Sequence, residues 1–170
     1  YASYFGSIED LKKITSYSIN RLYPEINNNE NPPLALLDLV MQKQIDLVVN
    51  WIRVGFIHGV MNTDNTSISG ESFDYGPCAF MNTYNPDTVY SSIDYNGRYA
   101  FGNQPKIIKW NILKLAEALL PIIHQNKDES IKLAQSVINK FNQIWEKKYY
   151  RMMLKKIGIN TNDKILFPLI

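Results

Sequence analysis

HGVMNTDNTSISGESFDYGP, residues 58–77, sets Asp64 and Asn65, and then Asp74, in a polar loop flanked by apolar segments. Carboxylate and amide oxygens are hard donors, the kind that hold Mg2+ beside a phosphate. An Asn followed, one short hairpin later, by an Asp that opens an Asp-x-Gly turn is a spacing used by phosphoryl-transfer sites. Each piece alone reads as turn chemistry, since Asp and Asn favour turns and Asp74-Tyr75-Gly76-Pro77 is itself a turn sequence. Their order makes them candidates for one metal-nucleotide site. His58, taken singly, reads as a structural loop histidine.

Working outward, apolar residues recur at 34, 37, 41, 45, 48, 52 and 56, a period near 3.6 that predicts a long core helix from Leu34 to Phe56 running into His58. Ser67 to Phe73, with Gly70, predicts a tight hairpin presenting Asp74 at its exit. Before the long helix, residues 9–23 predict a helix with Leu11, Ile14, Ser18 and Leu22 on one face and Pro24 as its stop, and 27–33 is a breaker-rich loop. After the site, 78–105 reads as loop, and Ile107 to Ile123 is so evenly apolar that it predicts a helix buried on several sides. A further helix over about 128–156 is expected to bury Ile131, Ala134, Val137, Ile138, Phe141, Ile144 and Trp145, while 160–170 is weakly patterned. The fold class is mainly α, in a single domain.

Composition narrows the function classes. Hydrophobic residues at 45% and charged ones at 20% are ordinary for a folded globular chain. A net charge of +2 gives no argument for nucleic acid, and the Lys-rich 140–156 segment alternates with apolar residues as a solvated helix face does. A lone Cys78 and two unspaced histidines exclude an internal disulfide and a zinc site. No apolar run reaches the roughly 18 residues of a membrane span, and no signal peptide is evident, so no membrane partner is expected. Asn65-Thr66-Ser67 matches a glycosylation acceptor, read as a chance match. The first residue is Tyr, and the chain reads as a piece of something longer.

A long helix, a loop carrying an Asn, a hairpin, an Asp-x-Gly and a helical remainder is the order of a protein-kinase C-lobe. Small-molecule kinases of that architecture carry H-G-D-x-x-x-x-N, with the Asp as base and the Asn on metal. In HGVMNTDN, His58, Gly59 and Asn65 fall in place, but Val60 holds the base position and cannot accept a proton. Asp64, immediately before Asn65, keeps a carboxylate in the loop.

HGVMNTDN, FDYGP, NGRYAFGNQP and the pattern Trp110, Asn111, Leu115, Ala116, Ala118, Leu119 resemble the selenoprotein O family, also called YdiU. FGSIED and RMMLKKIGI extend the similarity from about residue 5 to residue 159. The resemblance implies a protein adenylyltransferase on a pseudokinase fold, an α+β parent of which this chain is a C-lobe part. Such enzymes bind ATP flipped relative to a kinase and move AMP to Ser, Thr or Tyr hydroxyls of proteins. Carried over by motif, Asp64 is the general base, Asn65 a metal ligand, and Asp74 a metal ligand and neighbour of the triphosphate, with Mg2+ or Mn2+ as the ion. The implied compartment is the bacterial cytoplasm, or the mitochondrion for some members.

Kinase-like catalysis also uses a Gly-rich loop, a strand Lys and its Glu partner, all from an N-lobe. No G-x-G-x-x-G occurs in the 170 residues; the family keeps those parts upstream of FGSIED. Where the family tends to have Arg two positions before that Gly, Tyr4 stands. The expectation is therefore an enzyme part that needs an N-lobe in cis or in trans and is inactive alone. The alternative is a truncated or split remnant without catalysis, acting as a binding module. Arg98 and Tyr99 read as residues that knit their loop to the core.

Overall fold

The computed structural model describes residues 6–159. Tyr4 and the 160–170 tail lie outside the described residues. The chain is mainly helical, with helices α1 (Ile8–Leu22), α2 (Pro32–Val54), α3 (Gln104–Ile123), α4 (Lys127–Ile138) and α5 (Phe141–Lys156), and one antiparallel pair, β1 (Phe56–Ile57) and β2 (Ala79–Phe80). It divides into two units, one of residues up to Lys43 with Lys109–Phe141, the other of Gln44–Ile108 with residues from Asn142 on.

In the first unit α1 starts on a capping box. The Ser7 hydroxyl accepts from the Asp10 amide at 3.0 Å, and the Asp10 carboxylate accepts from the Ser7 amide at 3.2 Å. These bonds to Ser7 hold the Asp10 carboxyl below its usual value. The buried face is Leu11, Thr15 and Ile19, one i, i+4 ridge, while Ile14 is 55% exposed. The sequence expectation of Leu11, Ile14 and Ser18 mistook which ridge the core takes, because a polar Thr15 hid it. Asn31 starts α2 by accepting from the Leu34 amide, and its own amide donates to the Ile123 carbonyl at the end of α3. Prolines 32 and 33 suit the first turn, where no N–H partner exists.

Two further expectations are corrected. The apolar stripe of α3 runs through Ile108, Ile112, Ala116, Leu119 and Ile123, but Trp110 and Leu113 are 40% and 38% exposed, so the helix is buried along one broad side only. The single helix over 128–156 is two. α4 begins on Asn126, whose side chain accepts from the Asp128 and Glu129 amides, and closes at Lys140, whose amide donates to the Val137 carbonyl. The break at Asn139–Lys140 lets Val137, Ile138 and Phe141 all be buried and leaves Ile131 42% exposed.

In the second unit Ile45 and Val48 of α2 are buried as the helical period predicts, whereas Ile52 is half-buried and Val49 and Trp51, off the expected stripe, are buried. α2 stops at Val54 because Gly55 turns left-handed at φ +72°, and Phe56 passes into β1. Phe56 pairs with Phe80 and Ile57 with Ala79, and the Phe56 and Phe80 rings sit 5.3 Å apart. The pairing at the site loop is therefore formed by residues flanking the loop. Ser67 to Phe73 holds no strand; it is a turn closed by the Gly70 amide on the Ser67 carbonyl. The long segment before α3 is loop, as expected, and is ordered by backbone bonds such as Phe101 to Thr88 and Gly102 to Pro86. α5 ends at Gly158, left-handed at φ +82°. No helix among the described residues is long and apolar enough to cross a membrane.

Candidate functional site

The loop after β1 is built on buried polar groups. Gln104, fully buried at the start of α3, donates from its side-chain amide to the Phe56 carbonyl and accepts from the His58 amide, both at 3.1 Å. One side chain thus reads the free side of β1 as a neighbouring strand would. His58 follows, 1% exposed, with the Trp51 ring beside it, tilted by 36° at 5.4 Å. Its Nε2 faces the Phe73 carbonyl at 3.2 Å and its Nδ1 accepts from the Val60 amide at 3.4 Å. A neutral imidazole protonated on Nε2 satisfies both contacts, donating to one and accepting from the other. His58 is a structural bridge between the 58–65 segment and the residue preceding Asp74.

Gly59 completes the junction. Its φ is +84°, and a Cβ there would stand 2.4 Å from the Pro77 carbonyl oxygen, so the two stretches of backbone approach as only glycine permits. Trp51 Nε1 donates to the Ser72 hydroxyl at 3.1 Å, and Gln44 donates to the Ser67 carbonyl at 2.5 Å, fixing the intervening turn on α2.

Asp64 and Asn65 lie in a 3₁₀ turn, Thr63–Asn65. The Asn65 Nδ2 donates to the Val60 carbonyl at 3.1 Å, which leaves its Oδ1 as the acceptor of that side chain. Asp74 is exposed and is the one non-glycine residue at positive φ among the described residues, +56°. Asp tolerates that region better than most residues. Held strain of this kind accompanies functional sites often enough to mark Asp74 for attention. Neither the Asp64 nor the Asp74 carboxylate is engaged in a side-chain hydrogen bond or ion pair among the described residues. Two carboxylates and an amide oxygen are the donor types that suit a hard divalent cation. No group of three or more His, Cys, Asp or Glu placed for a metal occurs among the described residues.

Tyr99 reaches back to this loop, its hydroxyl donating to the Asn62 side-chain oxygen. Asp94 accepts from the amides of Arg98 and Tyr99, and the Arg98 guanidinium lies over the Tyr99 ring. These contacts tie the segment to itself and to the 58–65 loop rather than to the core, where the sequence had led us to expect Arg98 and Tyr99 to anchor it. Sequence reasoning missed Gln104, Trp51 and Ser72. Nothing local marks them, since each acts on a residue distant in the chain. Two grooves of this unit, about 700 and 630 Å3, are lined by neither Asp64, Asn65 nor Asp74.

Comparison with known proteins gives a consistent result. The family model described as protein adenylyltransferase SelO matches residues 2–167. A protein nucleotidyltransferase YdiU of Pelagibacter ubique (strain HTCC1062) is 54% identical over 93% of this chain and 33% of its own length. Proteins of the same description from Bacillus mycoides (strain KBAB4) and Bacillus cereus (strain B4264) are each 52% identical, over 96% and 100% of this chain and 34% and 35% of theirs. The chain spans about a third of the length of these curated relatives.

Proposed function

The chain belongs to the protein adenylyltransferase SelO family, and from that membership we propose that it forms the kinase-like C-lobe part of an enzyme transferring AMP from ATP to Ser, Thr or Tyr hydroxyls of proteins. What supports the reading is one observation above the rest: Val60 occupies the kinase base position while the exposed carboxylates of Asp64 and Asp74 stand on segments tied together through His58. Asp64 is the base. It accepts the hydroxyl proton as the hydroxyl oxygen forms a bond to the α-phosphorus, the bond from that phosphorus to the bridging oxygen breaks, and pyrophosphate leaves.

The Asn65 amide oxygen and the Asp74 carboxylate would hold Mg2+ or Mn2+, and Asp74 lies next to the triphosphate. Bound there, the ion would supply charge neutralisation at the non-bridging phosphate oxygens. Asn65 is oriented for this by its bond to the Val60 carbonyl, and Asp74 by the His58 contact to Phe73. The Gly-rich loop and Lys that grip the phosphates come from an N-lobe, in cis or in trans, so the 170 residues alone bind ATP weakly. The reading places the enzyme in a bacterial cytoplasm, and the bacterial sources of the relatives support the bacterial part of it.

The deciding experiment gives the protein, joined to its N-lobe, ATP labelled either in the α-phosphate or in the γ-phosphate. Label from the α position alone, with the mass of AMP on modified proteins, is expected. Phosphate mass and γ label would return it to the ordinary kinases. Val60→Asp should not change that outcome, because a flipped nucleotide turns its γ-phosphate away from residue 60.

A further inference from the structure

Lys148, Arg151 and Lys155 of α5 stand at i, i+3 and i+7, one face of the helix. They do not spread into solvent independently. With Arg53 and Lys156 they line an open groove of about 700 Å3 between residues 46–53 of α2 and 148–156 of α5. Five cations and one carboxylate, Asp46, line this groove in a chain whose formal net charge is only +2, so the excess positive charge is local. Two of the cations are engaged: Lys148 pairs with Asp46 at 2.8 Å, and Lys156 donates to the Arg53 carbonyl at 2.6 Å. Arg151 and Lys155 are exposed and form no ion pair among the described residues. Beneath them Val49 and Met152, 5% and 8% exposed, give the groove an apolar floor.

Those features favour one kind of ligand. The row from Lys148 to Lys155 is about 10 Å long at a rise of 1.5 Å per residue. An extended peptide presents same-face side chains roughly every 7 Å, so two carboxylates on alternate residues match the row, and the methylene stems that carry them cover Val49 and Met152 while the intervening side chains face away. A chain of phosphates carries no apolar group to lay on that floor. We propose that the groove docks an acidic, extended segment of the protein substrate. The proposal rests on the reading of the activity as protein modification. It deepens that reading, since β1 leads directly from the end of α2 to the site loop.

Docking is testable without nucleotide, by fluorescence anisotropy of a labelled peptide that alternates Glu with Leu around a single Ser. Arg151→Glu with Lys155→Glu should weaken binding by roughly tenfold or more, the corresponding Gln pair by less, and Lys12→Glu with Lys127→Glu by under about twofold. Equal weakening in that last pair, no change in both groove variants, or equal binding of a peptide with Gln for Glu would overturn the proposal. So would tighter binding of polyphosphate or a single-stranded oligonucleotide at the same residues. Peptide binding by a protein that, joined to its N-lobe, transfers no AMP would sink the proposed activity and leave the groove standing. An unchanged KM for an acidic protein substrate in the Arg151→Glu, Lys155→Glu variant would sink the groove alone.

Discussion

Gly59→Ala tests the junction on which the site is built. The added Cβ meets the Pro77 carbonyl oxygen at 2.4 Å and the Pro77 carbonyl carbon at 3.1 Å, and φ is +84°. The left-handed conformation costs a non-glycine residue roughly 1–2 kcal/mol. The backbone clash adds an overpacking cost of about 1–3 kcal/mol. Lower entropy of the unfolded chain returns about 0.4–1 kcal/mol, leaving a net loss of about 1–4.6 kcal/mol. With a urea slope of about 2 kcal/mol/M, the unfolding midpoint should drop by about 0.5–2.3 M. Two other glycines calibrate the result. Gly97, at φ +64° with its nearest contacts at 3.8 Å, should lose only the conformational term, about 1 kcal/mol. Gly76, whose Cβ would meet nothing within 4 Å, should stay within about 0.5 kcal/mol of the parent. Urea unfolding of the three Ala variants gives the order directly. A Gly59→Ala protein as stable as Gly76→Ala would refute the close approach of 59 and 77.

Three more outcomes are expected. In the protein joined to its N-lobe, Asp74→Ala should abolish AMP transfer, whereas Asp64→Ala should lower the rate by about 10²–10⁴-fold and leave nucleotide affinity intact; equal loss of affinity in both would remove Asp64 from the base role. Gln104→Ala strands the Phe56 carbonyl and the His58 amide, so a loss of about 2–3 kcal/mol, seen as a Tm drop of roughly 5–10 °C in calorimetry, should follow. Asp10 has its folded-state pKa lowered by Ser7, so its contribution to stability is present above the ordinary carboxylate value and is lost as pH falls through the lowered one. An NMR titration should show the Asp10 midpoint rise in Ser7→Ala, and an unmoved midpoint would contradict the capping box.

The parts of the fold legible in the sequence were those with local repetition. The α2 stripe through 37, 41, 45 and 48 repeats often enough to survive single exceptions, and those residues are buried. The α4 to α5 break was not legible because Asn139–Lys140 contains neither Gly nor Pro and the apolar spacing continues across it. The strands escaped notice for a different reason: two residues cannot display alternation, and Phe56 fits the helical period as well as a strand. At the site, spacing along the chain picked out Asp64, Asn65 and Asp74. The groups that fix their segments, Gln104 above all, act through bonds spanning up to 48 residues, for which a single sequence carries no signal.

The Gln104 fork has a bearing on solubility as well as on the site. A two-stranded ribbon has open edges whose bare amides and carbonyls invite another chain to add a strand. β2 covers one side of β1, with the Met81 amide donating to the Gly55 carbonyl, and the Gln104 side chain satisfies the Phe56 carbonyl and His58 amide on the other. A helix-borne amide therefore acts as a stopper against strand addition beside the loop that follows β1. It does so without lengthening the sheet, which leaves the following residues free to leave the strand direction at Gly59 and form the loop.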